Sequence, residues 1–182
     1  PITPLPKSID TNAEKVKLGR ELFFDTILSV DNTISCATCH DLQNGGDDGL
    51  KHSFGVGGKE GDINSPTVYN AVFNFREFWN GSAKDLAQQA KGPIENPVEM
   101  GNDFVNLVKT LKKTKYQKEF KKIYTDGVTE DNIVDAIAEY EKTLITPNSP
   151  FDRYLMGDLS AITKKQKEGY ELFKSKGCIA CH

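Results

Sequence analysis

The sequence is defined first by what it lacks. No cysteine stands outside two short clusters, and the 182 residues include one tryptophan, two methionines and three histidines. With no spare thiol there is no disulfide framework to build on. No apolar run approaches the roughly 18 residues that a bilayer-crossing helix requires. Charge of neither sign dominates. The 23 Lys and Arg against 26 Asp and Glu give a net charge of −3, which offers nucleic acid and anionic membrane surfaces no purchase. No basic-then-apolar leader opens the chain; the Met-less Pro1-Ile2-Thr3-Pro4-Leu5-Pro6 reads as the start of a mature, processed chain. With 37% hydrophobic and 27% charged residues the composition is that of a soluble globular protein, long enough for one ordinary domain or two small ones.

The four cysteines all fall in two copies of one pattern, Cys36-Ala37-Thr38-Cys39-His40 and Cys178-Ile179-Ala180-Cys181-His182. Two cysteines three apart on a turn opening a helix can form thioethers to the two vinyl groups of one porphyrin. The histidine that follows then lies under the ring and ligates its iron. A four-cysteine zinc site could use both pairs but leaves the histidine after each unexplained. A thioredoxin-like redox pair needs a βαβ context, which is absent, and a disulfide at this spacing would be strained. Two covalently bound haem c groups are therefore expected, with Cys36, Cys39, Cys178 and Cys181 as attachment points and His40 and His182 as iron ligands. Haem attachment of this kind takes place outside the bacterial cytosol, so a periplasmic location is expected.

A weak internal repeat precedes the motifs. Gly19-Arg20-Glu21-Leu22-Phe23 matches Gly169-Tyr170-Glu171-Leu172-Phe173, with a longer gap to the motif in the first copy. The fold class expected is mainly α: tandem cytochrome c-like domains with long haem-binding loops, residues 1–150 and 151–182, the second incomplete and stopping at its haem motif. Residues 12–24 place Val16, Gly19, Leu22 and Phe23 on one helical face. Ser82 is expected to cap a helix running to Lys91 and stopped by Gly92-Pro93. Asn102 is expected to cap one carrying Val105, Val108 and Leu111. Thr129 should cap a longer helix with Ile133, Ile137, Ala138, Tyr140 and Leu144 as its stripe. Thr163 with Gln166 reads as the capping box of the last helix, which Gly177 closes. Gly45 to Pro66 is a long glycine-rich loop, expected to lie against the first haem. The lysines from 109 to 122 read as a solvated helix face.

Several stretches together resemble the N-terminal part of bacterial di-haem cytochrome c peroxidases. They are Leu18-Gly19-Arg20-Glu21-Leu22-Phe23-Phe24-Asp25, Ser35 to His40, Asn64-Ser65-Pro66-Thr67-Val68-Tyr69-Asn70-Ala71, Phe78-Trp79-Asn80-Gly81-Ser82-Ala83 and Lys91 to Met100. The resemblance implies an enzyme that reduces hydrogen peroxide to water with electrons from a small soluble donor protein, a c-type cytochrome or a cupredoxin. It makes His40 the proximal ligand of the peroxidatic haem and His182 that of the electron-entry haem. It also makes Glu99 the acid-base group above the iron, with Gln89 in the same pocket and Glu95 as the fallback acid. Trp79, a core aromatic by composition alone, becomes an electron relay between the haems, and Asn64 a ligand of a calcium ion. A homodimer is the assembly considered. The competing functions are a di-haem electron-transfer cytochrome without peroxidase activity, and a relative that oxidises a protein substrate through high-valent haem.

The sequence departs from the family pattern in the glycine-rich loop. Many members have a Gly-His-Gly there whose histidine caps the peroxidatic iron at rest. The matching segment is Gly55-Val56-Gly57, and valine cannot ligate iron. The one histidine outside the motifs is His52, which becomes the alternative distal ligand. Met156 precedes the second motif and is not assigned as a ligand. Mass spectrometry of the denatured, matured full-length protein is expected to show two added haem masses. Zinc in place of haem would overturn the reading.

Overall fold

The computed structural model describes residues 2–180. These are mainly α-helical, and the described residues form no β-strand beyond two isolated bridges, Phe54–Glu60 and Glu77–Ala83. The chain divides into two compact units, residues 9–145 and residues 1–8 with 146–182.

The larger unit is organised by two helices, α1 (Ala13–Phe24) and α6 (Glu130–Glu141). Helix α1 starts where the Asn12 side chain accepts from the Glu14 and Lys15 N–H groups, which would otherwise lack partners. It buries Leu18, Gly19, Leu22 and Phe23. Thr129 caps α6 by accepting from Asn132 N–H, as its sequence foreshadows. Glu130 and Asp131 in its first turn suit the positive end of the helix dipole and hold Lys91 at 2.6 and 3.1 Å. Ile133, Val134, Ala136, Ile137, Ala138 and Tyr140 of α6 are all buried, so this helix lies inside the unit and is covered on most of its circumference. The two helices approach so closely at Gly19 that a Cβ there would stand 1.8 Å from the Ala136 carbonyl oxygen.

Three further helices complete the cover: α3 (Leu86–Glu95), α4 (Phe104–Leu111) and α5 (Tyr116–Ile123). Their ends correct the sequence reading. Asp85, not Ser82, caps α3, because its carboxylate accepts from Gln88 N–H at 2.8 Å. Pro93 does not stop the helix but lies inside it, and the following turn closes with Asn96 N–H on the Gly92 carbonyl. Asp103, not Asn102, caps α4; the Asn102 amide instead donates to the Leu28 carbonyl. On α4 it is Phe104, Leu107 and Leu111 that are buried, while Val105, expected on the apolar stripe, is 68% exposed. Helix α5 carries part of the lysine run on its outer side while Tyr116 and Phe120 face the core, with the Tyr116 hydroxyl donating to Asp25 at 2.7 Å.

The smaller unit holds α7 (Pro150–Leu155) and α8 (Lys164–Ser175). Ser149 and Asp152 form a capping box on α7, and Leu5 N–H donates to the same Asp152 carboxylate at 2.9 Å. Thr163 and Gln166 form the expected box on α8, and Gly177, at φ +82°, follows its end. Phe151, Tyr154 and Tyr170 pack their rings together, two of the three contacts edge-on.

The Gly19 contact makes a prediction whose sign is not obvious from propensity. Alanine in a helix interior ordinarily gains about 0.5–1 kcal/mol over glycine. Here the added methyl meets backbone that cannot rotate away, and overpacking costs about 1–3 kcal/mol or more. Gly19→Ala is therefore expected to lower the urea unfolding midpoint. A raised midpoint would mean that α1 and α6 do not touch this closely.

Candidate haem and peroxide site

The first motif forms α2 (Cys36–Cys39), a single turn that opens at Ser35, whose N–H donates to Thr38 Oγ1 at 3.0 Å. Residues three apart on such a turn share a face, so both thiols point one way. Cys36 packs against both apolar clusters of the larger unit. Burial pushes its thiol up to about 12, and the Glu141 carboxylate pushes the same way. Burial also raises Cys39, with a hydrogen bond to Ser53 opposing. Thiols raised in this way are poor nucleophiles and poor redox catalysts.

His40 follows at the end of the turn. Its Nδ1 lies 3.2 Å from the Gly46 carbonyl oxygen. A carbonyl can only accept, so Nδ1 carries the proton and the Nε2 lone pair is left free, the tautomer that iron ligation requires. Burial lowers the pKa of the ring, and the Gly46 carbonyl and Asp48 oppose this. The Gly46 carbonyl is itself held in place. Gly46 N–H donates to Asp41 O, Val68 N–H donates to the Gly46 carbonyl, and at φ +81° a Cβ on Gly46 would strike Thr67 Oγ1 and the Tyr69 ring at 2.7 and 2.8 Å. The Thr67 and Tyr69 hydroxyls donate to the Gly45 and Leu42 carbonyls, both at 2.6 Å. Sequence reasoning did not find Gly46, Thr67 and Tyr69. The available signal was the Gly45-Gly46 pair five and six residues past His40.

Glu99 lies on the turn that follows α3. The Asn96 amide donates to Glu99 Oε1 at 2.6 Å, and the Asn96 side-chain oxygen accepts from Val98 N–H at 3.1 Å. The carboxyl is half-buried. Burial raises its pKa, and the Asn96 hydrogen bond opposes the rise. Its charge is among the causes that raise Cys39, after burial and Asp48. The glycine-rich loop closes on the same turn. Residues 53–61 fold back on themselves through Gly61 N–H on Ser53 O and Gly55 N–H on Lys59 O. At the tip Val56 is buried, and its N–H donates to the Glu99 carbonyl at 2.8 Å. A Cβ on Gly55 would lie 2.2 Å from Val98 O and 2.4 Å from Glu99 O, so only glycine permits this contact. Asn96 and Gly55 were also missed; Asn-Pro three residues before the glutamate was the signal for the first.

The remaining residues singled out in the sequence are placed as follows. Gln89 is half-buried on α3, and Glu95 at the end of that helix is exposed. His52 Nδ1 pairs with Glu60 Oε1 at 3.0 Å near the base of the 53–61 fold-back. Trp79 is not a core aromatic: it is 68% exposed, with Nε1 donating to the Asn64 carbonyl at 3.0 Å. The Asn64 amide donates to the Leu50 carbonyl at 2.7 Å. Among the described residues no three His, Cys, Asp or Glu side chains converge to hold a metal ion. Cys178 is exposed on a one-turn segment, Cys178–Ala180. Cys181 and His182 lie outside the described residues.

Comparison with known proteins accords with this geometry. The sequence profile of the di-haem cytochrome c peroxidases matches residues 13–160. The chain is 50% identical to cytochrome c peroxidase Ccp of Escherichia coli, over 100% of this chain and 40% of that protein. It is 45% identical to a cytochrome c551 peroxidase of Nitrosomonas europaea, over 100% and 55%. The chain thus spans about half the length of such relatives. Among solved structures, a MauG-like protein associated with microbial copper homeostasis matches with a TM-score of 0.81 at 26% identity, covering 95% of this chain and 52% of that one. The di-haem peroxidase BthA from Burkholderia thailandensis shares the fold, with a TM-score of 0.80. The profile match over most of the chain and the likeness to these relatives over its full length lead to one conclusion: this chain belongs to the di-haem cytochrome c peroxidase family.

Proposed function

We propose that the protein carrying this chain reduces hydrogen peroxide to water, with electrons from a small c-type cytochrome or cupredoxin. The observation that carries the reading is Glu99: a half-buried carboxyl, fixed by Asn96 and clamped by the Gly55–Val56 loop, within electrostatic reach of the first haem motif. Haem would be held by thioethers to Cys36 and Cys39 and by His40 Nε2 on its iron, and would supply peroxide binding and electron transfer. The residues supply the rest. Reduction of one peroxide consumes two electrons and two protons, and the O–O bond breaks readily only once a proton has moved from one oxygen to the other. The Asn96 amide occupies Oε1 of Glu99 and leaves Oε2 to take that proton and return it. Burial brings the carboxyl pKa upward, toward the working pH where proton transfer in both directions is efficient. Gln89 is assigned to the same pocket as a hydrogen-bonding group. Trp79 is assigned to electron relay, and its exposed ring suits transfer to a neighbouring surface. Asn64 keeps Oδ1 for a calcium ion, because its amide nitrogen is engaged by Leu50. The periplasm is the compartment proposed.

The loop tip also bears on activation. Val56 fills the place of a distal histidine, and its side chain packs toward Gly101 while its backbone is bonded to Glu99. To reach the iron, His52 would have to give up Glu60 and unmake the Phe54–Glu60 bridge. The oxidised enzyme is therefore proposed to be open to peroxide without prior reduction.

Glu99→Gln keeps the shape but not the proton transfer, and is expected to lower peroxide turnover roughly 10²–10⁴-fold with both haems attached. Asn96→Ala removes the bond that opposes the raised pKa. Activity lost as pH falls through that pKa should then be lost at a higher pH. Turnover near wild type in Glu99→Gln would remove Glu99 from the mechanism. Electron paramagnetic resonance of the oxidised full-length protein is expected to show a high-spin ferric signal from the His40 haem. A purely low-spin spectrum that turns high-spin in His52→Ala would make His52 the cap instead.

A further inference from the structure

Of the six tyrosines, one is placed unlike the rest. Tyr116, on α5, is 2% exposed, and its hydroxyl donates to Asp25 Oδ2 at 2.7 Å. A buried phenol needs a partner, and a backbone carbonyl would serve. Tyr69 takes that solution, donating to the Leu42 carbonyl at 2.6 Å. Tyr116 has a carboxylate instead, a group that can accept the proton outright and not only the hydrogen bond. Tyr124 also meets a carboxylate, Asp135 at 2.8 Å, but Lys15 holds the same Oδ2 at 2.7 Å and weakens it as a base. Tyr140 meets the Arg20 cation, and Tyr154 and Tyr170 belong to the smaller unit. At Asp25, Oδ1 accepts from Ile27 N–H at 2.9 Å, which leaves Oδ2 to Tyr116. Lys115, whose ammonium lies 5.0 Å from the centre of the Tyr116 ring, is paired with Glu21.

Packing and hydrogen bonds join this pair to the first haem motif. Tyr116 lies in the larger apolar cluster, and Cys36 packs against that cluster. Asp25 follows two residues after Phe23, a member of the second cluster against which Cys36 also packs. From Asp25 the chain runs through the turn Thr26–Leu28 to Ser29, whose Oγ accepts from Ile34 N–H at 3.1 Å, two residues before Cys36.

We propose that Tyr116 is a redox-active tyrosine, which gives an electron to the first-motif haem when peroxide arrives and no donor electron is at hand, while its proton passes to Asp25. The inference rests on the reading that Cys36, Cys39 and His40 hold that haem and that peroxide reacts there without prior reduction. Cleavage of the O–O bond takes two electrons. The iron gives one, and where the donor has delivered none the protein must give the other. Loss of an electron makes a phenol a strong acid, so the electron leaves readily only where a base stands within hydrogen-bond reach. At Tyr116 the phenolic O–H bond breaks. The electron goes to the haem, and the proton crosses to Asp25 Oδ2, where a new O–H bond forms. Both protons of the peroxide leave in the first water, and its other oxygen stays at the haem. One donor electron, with the proton held on Asp25, later restores the phenol. A second, with two protons from solvent, releases the remaining oxygen as water. Burial of Tyr116 keeps its oxidised ring from side reactions until those electrons arrive.

The test is electron paramagnetic resonance of the oxidised, haem-loaded full-length protein, frozen after an equimolar amount of peroxide is added without any donor. The wild type should show a narrow organic radical beside the ferric signals. Its hyperfine pattern should collapse in protein grown on ring-deuterated tyrosine. The radical should be lost in Tyr116→Phe, which keeps the ring and its packing, and should persist in Tyr124→Phe. Asp25→Asn keeps a hydrogen-bond acceptor but removes the base, and the radical should fall in yield. A tyrosyl signal undiminished in Tyr116→Phe would overturn the proposal, as would the absence of any organic radical once peroxide has changed the haem absorption. If Tyr116→Phe fails to fold, an undiminished radical in Asp25→Asn overturns it equally. Haem absorption that peroxide leaves untouched would instead fail the reading beneath, and the inference with it.

Discussion

The close crossing of α1 and α6 is the contact on which the larger unit depends. It requires a residue without a side chain at Gly19, because the Ala136 carbonyl occupies the place of a Cβ. Once the backbones meet there, Leu18, Leu22, Ile133 and Ile137 are drawn into a single cluster with Phe104, Leu107 and Phe120 from the covering helices. The far end of the same crossing brings Phe23 against Tyr140, edge to face at 5.3 Å. That aromatic pair, with Val68 and Leu144, forms the second cluster, into which Cys36 is set. The haem motif thus stands at the seam of two apolar clusters that one glycine brings into register.

The site itself is built from loops, and their rigidity comes from backbone contacts rather than from side-chain packing. Gly55 and Val56 lie directly on the backbone of Val98 and Glu99, while Met100 O accepts from Val30 N–H on the other side. The turn that carries the carboxyl is therefore gripped from two directions. Gly46 does the same for His40, presenting a carbonyl that also accepts from Val68 N–H, on a residue whose own N–H donates to Asp41 O. Such geometry fixes the positions of the Glu99 carboxyl and the His40 ring, the preorganisation that the roles proposed for them need.

Much of this was legible in the sequence. The helical class, the Thr129 and Thr163 caps and the stripe of α6 follow from periodicity and short-range hydrogen bonding, which a sequence displays directly. The errors came where two residues compete for one role. Ser82 and Asp85, like Asn102 and Asp103, can each cap a helix, and the choice was made by tertiary contacts such as the Asn102 bond to Leu28. Pro93 reads as a stop signal, yet Met100 N–H on its carbonyl helps carry the chain through. Helices α5 and α7 went unread because one is masked by lysines and the other is barely longer than a turn. Within the site, the residue types were legible from the motif and the family resemblance. The supports Gly46, Gly55, Thr67, Tyr69 and Asn96 were not, since each acts through contacts between backbone segments distant in the chain. Trp79 reads as core from its type alone, and its exposure is a property of the loop that bears it.

The close contact at Gly55 has a consequence for how this part of the chain can vary. A side chain there would have to stand 2.2 Å from Val98 O and 2.4 Å from Glu99 O, so no other residue fits unless the turn that carries the carboxyl moves with it. The loop and the turn are therefore tied as one unit, and a change in either is felt first by the other.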